Sequence, residues 1–227
     1  NKMIKKIIKI LLIIFSILVL VILYLSFYGI KTDKFNNQIK SNVLKINKKI
    51  DLNLGDVNYL LNPYDFTINI KTTNPQLLLG NRSLEIKNIQ TNVVLKSLIK
   101  GQFSIDNLQI TTKEIKINDI IKLLRVFQNS PQLFILDTII KDGLVTANVN
   151  LNFDENGTIK ENYKIKGSIK KAKLNILNQI KLKNFDLNFD INKNIYSLKK
   201  IHVKLNNIKL TSPLIEIKKK KIHFLLM

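Results

Sequence analysis

The chain contains an uninterrupted apolar run of nineteen residues, from Ile10 to Tyr28, with no charge, no Pro and no Gly. A helix rises about 1.5 Å per residue, so this run would extend roughly 28 Å, close to the hydrocarbon thickness of a bilayer. Lysines precede it between Lys2 and Lys9, and Lys31 follows it. We predict that residues 1–30 form a transmembrane anchor and that the remainder of the chain is tethered to a membrane.

Two other kinds of segment share parts of this pattern. A cleaved signal peptide has an apolar core of about 7–15 residues and ends at small residues, whereas this run is longer and continues through Phe27 and Tyr28. A helix buried in a soluble core is seldom apolar on every side for about five turns. Lysines lie on both sides of the span, so charge alone leaves its orientation nearly balanced. Because the short lysine-rich tail is easier to retain in the cytoplasm, we predict a cytoplasmic N-terminus and an exported C-terminal domain.

The segment after the span has the spacing of an amphipathic helix. Its apolar residues recur every three or four positions: Phe35, Ile39, Val43, Ile46 and Ile50. Asp33 precedes them, where a carboxylate is favourable at a helix start. We predict a juxtamembrane amphipathic helix over residues 31–50, packed either on a sheet or on anionic lipid headgroups.

From residue 51 onward the apolar period becomes two, which is typical of antiparallel strands with one apolar and one solvated face. The alternation is clearest over residues 66–71, 145–153 and 184–191, with shorter runs near 77–79, 84–95, 103–117, 163–169, 174–182, 201–210 and 215–224. Several short sequences indicate turns: Asn62-Pro63, Asn74-Pro75, Gly80-Asn81, Asp106-Asn107, Asp142-Gly143 and Asp154-Glu155-Asn156-Gly157.

One interruption of this alternation has helical spacing. It covers residues near 118–129, and Asn129-Ser130-Pro131 is predicted to end it. The pattern as a whole predicts one mainly β domain over residues 51–227, with about five short strands, this helical insertion and then a long antiparallel meander.

Composition and motifs argue against catalysis. The net charge of +21 favours an anionic partner, although Lys, Asn and Ile are enriched together, as A- and T-rich codons would produce. The chain has no Cys, and its two histidines, His202 and His223, have no carboxylate cluster nearby in the sequence. Asp186 and Asp190 would lie about 13 Å apart on one strand, too far for paired carboxylate catalysis. We predict no enzymatic activity, no catalytic residue, no metal site and no cofactor.

Nucleotide and nucleic-acid binding are also disfavoured. The sequence has no Gly-rich phosphate loop and no nucleophile elbow. Aromatic residues fall mostly on the apolar side of the alternation, where they would not form stacking platforms for bases. We therefore predict no nucleic-acid partner.

Two long stretches carry a family resemblance. After the lysine-flanked span and the amphipathic segment comes GDVNYLLNPYDFTINIKTTNPQLLLGNRSLEIKNIQTNVVLKSLIKGQFSIDNLQITTKEIKI, which includes the phrase SLIKG, and residues 139–174 read IIKDGLVTANVNLNFDENGTIKENYKIKGSIKKAKL. Together they resemble the N-terminal portion of the AsmA/TamB/YhdP family of membrane-anchored exported proteins. The resemblance implies a repeating β-groove, a long, curved, taco-like antiparallel sheet whose apolar face carries lipid acyl chains between membranes.

The chain departs from the family pattern in two respects. It is far shorter than a full-length bridge, so it would not span an envelope compartment by itself. Thr111 or Thr112 stands where the family usually has Pro. Because the sequence stops directly after a strand-like run, we expect a longer protein in which the sheet continues.

A sheet with one apolar face must bury that face against something. The two predicted amphipathic helices would cover only about half of the strands, so either the sheet folds onto itself as a sandwich or barrel, or lipid covers the rest. An outer-membrane barrel would conflict with the helical anchor, and the sequence, which has no Trp, lacks the aromatic girdles of such barrels. The resemblance favours lipid, and the residues predicted to line the groove are Phe66, Ile68, Ile70, Phe103, Ile105, Val145, Val149, Leu151, Phe153, Ile165, Phe185, Leu187 and Phe189.

Lysines on one predicted strand have two interpretations. Lys164, Lys166, Lys170 and Lys173 would either meet lipid phosphate at the groove rim or form a solvated strand face that discourages aggregation.

Our first functional hypothesis is an AsmA-like protein of the bacterial cell envelope that supports phospholipid transport between the inner and outer membranes. It would cross the inner membrane once, through residues 10–28, with its C-terminal domain in the periplasm. Its partners would be phospholipid acyl chains and the inner membrane. The alternative hypothesis is a structural or assembly factor, acting in cell envelope biogenesis or outer membrane assembly, whose sheet edge binds an envelope protein.

Overall fold

A computed structural model of the protein describes the following residues: 2–34, 36–37, 40–41, 50–79, 82–99, 105–127, 130–154, 158–176, 180–206 and 208–218. The fold is mainly β, with 58% strand, and consists of one large antiparallel sheet of 13 strands, an apolar N-terminal helix and few other helices. The fold class predicted from the two-residue apolar period is confirmed.

The described residues form the following helices and strands, numbered in chain order. The helices are α1 (Lys2–Phe27), α2 (Leu95–Ile99), α3 (Ile117–Phe127) and α4 (Pro131–Ile139). The strands are β1 (Ile30–Thr32), β2 (Ile50–Asn53), β3 (Val57–Asn62), β4 (Thr67–Thr73), β5 (Gln76–Leu79), β6 (Arg82–Val94), β7 (Ile105–Thr112), β8 (Ile115–Lys116), β9 (Ile140–Asn152), β10 (Lys164–Ile176), β11 (Ile180–Asn192), β12 (Ile195–Leu205) and β13 (Ile208–Lys218).

The strands form one open sheet. Its hydrogen-bonded order is β1-β3-β4-β6-β7-β9-β10-β11-β12-β13, while β2 pairs with β5, β5 pairs with β6, and β8 pairs with β9. In the described part of the chain β1 and β13 do not pair with each other, so these strands do not close into a barrel. Strands β9 to β13 form a long antiparallel meander, in agreement with the sequence prediction.

The first helix joins the sheet through a very short connection. Among the described residues, α1 is the one helix that is long and apolar enough to cross a membrane, and its apolar window is not buried in the protein. The helix ends where the backbone N–H groups of Tyr28 and Gly29 both donate to the carbonyl of Tyr24, at 2.9 and 3.3 Å. Gly29 is buried with a φ of 67°, a conformation that favours glycine after a helix end. β1 begins at the next residue, so the sheet starts directly at the end of α1.

The juxtamembrane helix predicted over residues 31–50 differs at both ends from the structure. Lys31 and Thr32 belong to β1, because their backbone groups pair with the edge of β3, and Ile50 belongs to β2. The backbone is helical at residues 36–37 and 40–41. The remaining apolar positions of the predicted helix lie outside the described residues: Phe35, Ile39, Val43 and Ile46.

The helical insertion contains two helices where the sequence pattern predicts one. α3 agrees with the predicted helix near residues 118–129. Pro131, predicted as part of a helix stop, is instead the first residue of α4. Ser130 is the N-cap of α4, and its hydroxyl accepts from the backbone N–H of Leu133 at 3.3 Å. Pro is favoured at the first position of a helix because its missing N–H has no partner there, so Ser-Pro starts the second helix.

A row of β-bulges crosses the long strands. In β10, β11 and β12 the positions on the apolar face recur at every second residue except at one place in each strand, where the step is three: Ile169 to Ala172, Leu182 to Phe185, and Leu198 to Ile201. One residue with positive φ lies in each gap: Lys171 (52°), Asn184 (51°) and Lys200 (52°). The strand pairs shift register at the same places. The extra residue returns the next apolar side chain to the same face of the sheet.

Bulges bend a strand and increase its twist, so neighbouring bulges curve this end of the sheet. The bulge in β10 is held by the Asp186 carboxylate of β11, which accepts from the backbone N–H of Lys171 at 2.6 Å. The separate strands predicted near 163–169 and 174–182 are therefore wrong, because β10 is one strand that continues through its bulge and ends at Ile176.

Some of the predicted turns stand at strand ends or connect strands, and others lie inside strands. Asn62-Pro63 stands at the end of β3, Asn74-Pro75 connects β4 to β5, and Gly80-Asn81 lies outside the described residues. Asp106-Asn107 and Asp142-Gly143 lie inside β7 and β9, at register shifts. At the Asp154 turn, Phe153 bridges Ile159, while residues 155–157 lie outside the described residues. The turn-forming pairs inside strands thus mark bulges, which need the same tolerant backbone as turns.

Candidate functional site

The sheet has one apolar face, which we define by the cross-strand partners of Val149. Cα partners in antiparallel strands carry their side chains on the same face, so a row of residues can be followed from strand to strand. From β3 to β13 this row contains Val57, Thr72, Ile89, Ile110, Val149, Ile165, Ile191, Tyr196 and Ile217. The row continues across β4, β6, β7, β9, β10, β11 and β12, and only Thr72 and Tyr196 in it carry a hydroxyl.

The opposite face is polar. The neighbouring row across β4 to β11 contains Lys71, Gln90, Gln109, Asn150, Lys164 and Asn192. Side chains on this face bond to one another, as in the Nδ2 group of Asn69, which donates to Oδ1 of Asn92 at 2.6 Å. A polar face is stable in contact with water, whereas the apolar face has to be covered.

One end of the apolar face is covered by α3. Ile117 and Ile121 of this helix pack on Val145 of β9 and Ala172 of β10 to form a buried cluster, which we call the α3 cluster. Partly buried side chains surround it: Ile120, Ile140, Ile169, Leu174, Phe185 and Phe189. Gly143 allows this close approach, because a Cβ there would lie 2.8 Å from both Ile117 Cδ1 and Ala172 Cα.

A second part of the apolar face is covered by the segment that begins with β2. Leu52 and Leu54 are buried with Val57, and we call these three residues the β2 cluster. Four partly buried side chains pack against it: Tyr59, Ile70, Leu77 and Ile89. This cluster covers the face at β3, β4 and β6, on the side of the sheet nearest to α1.

Between the two clusters lies a strip of apolar side chains that belong to neither. We define this open strip as Leu108, Ile110, Val149, Leu151, Ile165 and Ile191, all of which are partly exposed. On the far side of the strip, the four isoleucine and leucine residues of β13 that share this face are more than a third exposed: Ile208, Leu210, Ile215 and Ile217. The apolar face is therefore buried at its two clusters and also at Val93 and Ile201, whereas the open strip is partly exposed and these residues of β13 are more exposed.

Phe189 marks the boundary between the α3 cluster and the open strip. It is the cross-strand partner of Gly167, and a Cβ on Gly167 would lie 2.4 Å from Cζ of the Phe189 ring. The ring therefore lies over the glycine and fills the space that a side chain on β10 would occupy.

Most of the predicted groove residues lie on this one face, but in different surroundings. Val149, Leu151 and Ile165 belong to the open strip, and Ile68 and Ile105 share a cross-strand row with Val93. Val145, by contrast, is only 8% exposed beneath α3, and Leu187 is also buried. Phe185, Phe189 and Ile70 pack against the two clusters. Internal packing therefore accounts for several of the predicted groove residues.

Three of the predicted aromatic positions have other placements. Phe66 lies in the turn between β3 and β4 with a φ of 50°, outside the strand that its alternation predicts. Phe153 lies just beyond the end of β9, and Phe103 lies outside the described residues. The prediction of Phe66 as a strand residue is wrong, because β4 begins at Thr67.

Several residues of the open strip did not emerge from the sequence. Leu108, Ile110 and Ile191 alternate like their neighbours, but their membership of the strip depends on strand pairing: β10 with β11 for Ile191, and β7 with β9 for Leu108 and Ile110. That pairing joins strands separated by two helices and leaves no local signal. Alternation identifies which side chains share a face of one strand, and it does not identify the neighbouring strand.

The lysines predicted at a groove rim lie on the polar face. Lys166, Lys170 and Lys173 form ion pairs with Asp190, Glu114 and Asp142 at 3.5, 2.7 and 2.9 Å. The ammonium of Lys173 bonded to Asp142 holds the pKa of that carboxyl below its ordinary value, and the backbone N–H of Gly143 adds to this effect. Lys170 likewise lowers the pKa of Glu114, and its own pKa is raised by the pair. These contacts support the solvated-face interpretation.

The described residues contain no group of three or more His, Cys, Asp or Glu side chains that could hold a metal ion. His202 is exposed on β12, opposite Asp186 and Thr211, and His223 lies outside the described residues.

Comparison with known proteins finds no match for the chain: no protein-family model, no curated protein and no solved structure matches it.

Proposed function

We propose that the open strip binds lipid acyl chains and that the protein supports phospholipid transport as a membrane-anchored member of the cell envelope. The observation that carries this proposal is the partly exposed apolar strip between the two clusters. Each methylene that leaves water for such a surface contributes roughly 0.8 kcal/mol. An aliphatic strip offers this gain without selecting a particular acyl chain, and no chemical step takes place at the lipid.

The dimensions of the strip suit an acyl chain. From β7 to β11 it crosses four strands, and with β12 and β13 the apolar row continues over two strands more. At about 4.8 Å per strand, the row from β7 to β13 extends about 24 Å. One leaflet of a bilayer provides acyl chains that cover about 15 Å. A complete chain therefore fits along the row, while its headgroup stays in water.

The cellular arrangement is part of the same proposal. α1 is consistent with single-pass membrane anchoring. We place it in a bacterial inner membrane with its N-terminus in the cytoplasm and the sheet in the periplasm, following the lysine-rich tail and the resemblance to the AsmA/TamB/YhdP family. In that arrangement, a sheet that starts directly after α1 has its apolar face close to the membrane that supplies lipid.

Photo-crosslinking from Val149 tests the proposal. A photoreactive amino acid at this position is expected to form phospholipid adducts in cells, because Val149 lies in the middle of the open strip. The matched control is Asn148, which is exposed on the polar face of the same strand and is expected to give several-fold fewer lipid adducts. Adducts from Val149 only to helices of the protein itself, or equal lipid yields from both positions, would reject acyl-chain binding.

A second function has its own support in β13. In the described residues this strand pairs only with β12, so one row of its backbone N–H and C=O groups is available to another strand. A structural or assembly role would use this edge to add a strand from an envelope protein. Under this function, Ile217→Lys is expected to abolish capture of that protein while lipid adducts at Val149 persist. Capture that persists together with loss of the lipid adducts at Val149 would favour the lipid function.

A further inference from the structure

The hairpin of β3 and β4 extends past the first strand and lies beside α1. β1 pairs only with Val57–Tyr59, so the last three residues of β3 and the turn Pro63–Phe66 continue beyond the paired region. At about 3.3 Å per residue, three strand residues reach about 10 Å. Because β1 follows α1 directly and runs antiparallel to β3, this extension points back along the helix.

The residues of α1 that lie beside the hairpin show how far back along the helix the hairpin extends. Ile22, Leu23 and Phe27 of α1 line one apolar cleft together with three hairpin residues: Leu60, Leu61 and Pro63. The apolar run of the helix continues to Tyr28, and Ile22 lies about 9 Å below that end at 1.5 Å per residue. A hairpin that contacts these residues reaches the same depth as the last turns of the apolar helix.

The turn presents two aromatic side chains outward. Tyr64 is 95% exposed and Phe66 is 69% exposed. Oδ1 of Asn62 accepts from the backbone N–H groups of Tyr64 and Asp65 at 3.1 and 3.3 Å. The carbonyl of Phe66 accepts from the backbone N–H of Leu95 at 2.9 Å. The turn is thus fixed at both ends; Tyr64 borders the cleft shared with α1, and both aromatic side chains remain exposed.

Two features of the surroundings match a membrane–water interface. Tyr24, in the last turn of α1, stacks on Tyr28, directly after the helix, with ring centroids 5.5 Å apart, and Tyr is enriched at the headgroup level of membranes. Lys96, directly after Leu95, is exposed next to the turn, where an ammonium is available to lipid phosphate. Aromatic rings with a polar or charged neighbour suit the headgroup boundary better than bulk water.

We infer that the hairpin tip, Tyr64 and Phe66, inserts into the leaflet that α1 leaves through Phe27. The tip is a second membrane contact, made by the sheet itself. It fixes the direction in which the sheet leaves the bilayer, because a helix alone can rotate and tilt. This inference depends on α1 being embedded in a bilayer, and it does not depend on lipid binding by the open strip.

Depth-dependent quenching of a single tryptophan tests the tip. The chain has no Trp, so Tyr64→Trp creates one emitter in the full-length protein. The protein is reconstituted into vesicles of phosphatidylcholine and phosphatidylglycerol, with or without phosphatidylcholine brominated on its acyl chains. Brominated lipid is expected to remove about half of the Tyr64→Trp emission, and the emission is expected to be blue-shifted.

Two further variants define the range of the measurement. Thr73→Trp is exposed at the opposite end of β4, about 20 Å from the tip at 3.3 Å per residue, and is expected to keep water-like emission without quenching. Ser16→Trp, in the middle of α1, is expected to be quenched most strongly. Tyr64→Trp emission that matches Thr73→Trp while Ser16→Trp is quenched overturns the inference. Absence of quenching of Ser16→Trp also overturns the inference, because α1 would then not be embedded in the bilayer.

Discussion

Replacing Ile121 with Asp is expected to lower the free energy of unfolding by about 4 kcal/mol. Ile121 is 4% exposed and packs from α3 onto Val145 and Ala172. The substitution removes buried methylene groups and places a carboxylate among the apolar side chains of the α3 cluster. Since the charge can be hydrated only if α3 lifts from the sheet, the variant is expected to lose the α3 cluster before the strands separate.

The same helix provides the control for this prediction. Leu124 is 45% exposed on α3, and Leu124→Asp is expected to change the free energy of unfolding by no more than about 0.5 kcal/mol. Equilibrium urea unfolding of the two variants in detergent micelles, followed by circular dichroism, measures the difference. Equal losses for the two substitutions would contradict the packing of this helix face on the sheet.

Replacing Ile110 with Asp is expected to reduce bound phospholipid about tenfold while lowering the free energy of unfolding by only about 1 kcal/mol. Ile110 lies in the open strip on β7, between its cross-strand partners Ile89 and Val149. Each lost methylene contact weakens acyl-chain binding by roughly 0.8 kcal/mol, so two contacts account for the tenfold change. Asp is the informative substitution, because the longer Lys side chain would extend its charge to water.

The neighbouring residue on the opposite face is the matched control. Gln109 lies in the polar row, and Gln109→Asp is expected to leave bound lipid unchanged. Mass spectrometry of phospholipid that copurifies with each full-length variant gives the comparison, and lipid held by α1 contributes equally to both. A loss of stability at Ile110 as large as that expected at Ile121, with no change in lipid, would mean that the strip is an internal core.

The two sets of substitutions separate two kinds of apolar surface on one sheet. Val145, beneath α3, and Val149, four residues further along β9, lie on the same face. The first is covered by a helix of the same chain, and the second belongs to the open strip. The functional proposal requires that these neighbouring positions respond differently: the covered one through stability and the open one through lipid.

The β character of the domain was predictable, because a two-residue apolar period requires no knowledge of neighbouring strands. α3 was predictable for the same reason, since its apolar spacing is strong and local. The bulges leave a signal in the sequence, but alternation alone does not distinguish it from a strand end. Wherever the spacing rises from two to three, as from Ile169 to Ala172, a polar pair such as Lys170-Lys171 fills the gap. An interrupted alternation therefore predicts a strand end at positions where the strand in fact continues through a bulge.

The candidate site was predictable only in part. Alternation identified Val149, Leu151 and Ile165 as members of one face, but it gave no means to separate them from Val145, which α3 covers. Coverage depends on where a distant helix packs, and the sequence contains no local record of that contact. The Ser130-Pro131 pair shows a related ambiguity, because the same residues are compatible with a helix stop and with a helix start.

The occupancy of the open strip is measured most directly by a tryptophan placed within it. Ile165→Trp lies five strands of the sheet away from β3, about 24 Å at 4.8 Å per strand, and Lys166→Trp is its control on the polar face. In the full-length protein reconstituted with brominated phospholipid, lipid in the strip predicts strong quenching at position 165 and little at position 166. Emission at position 165 that is the same with brominated and ordinary lipid would contradict the account.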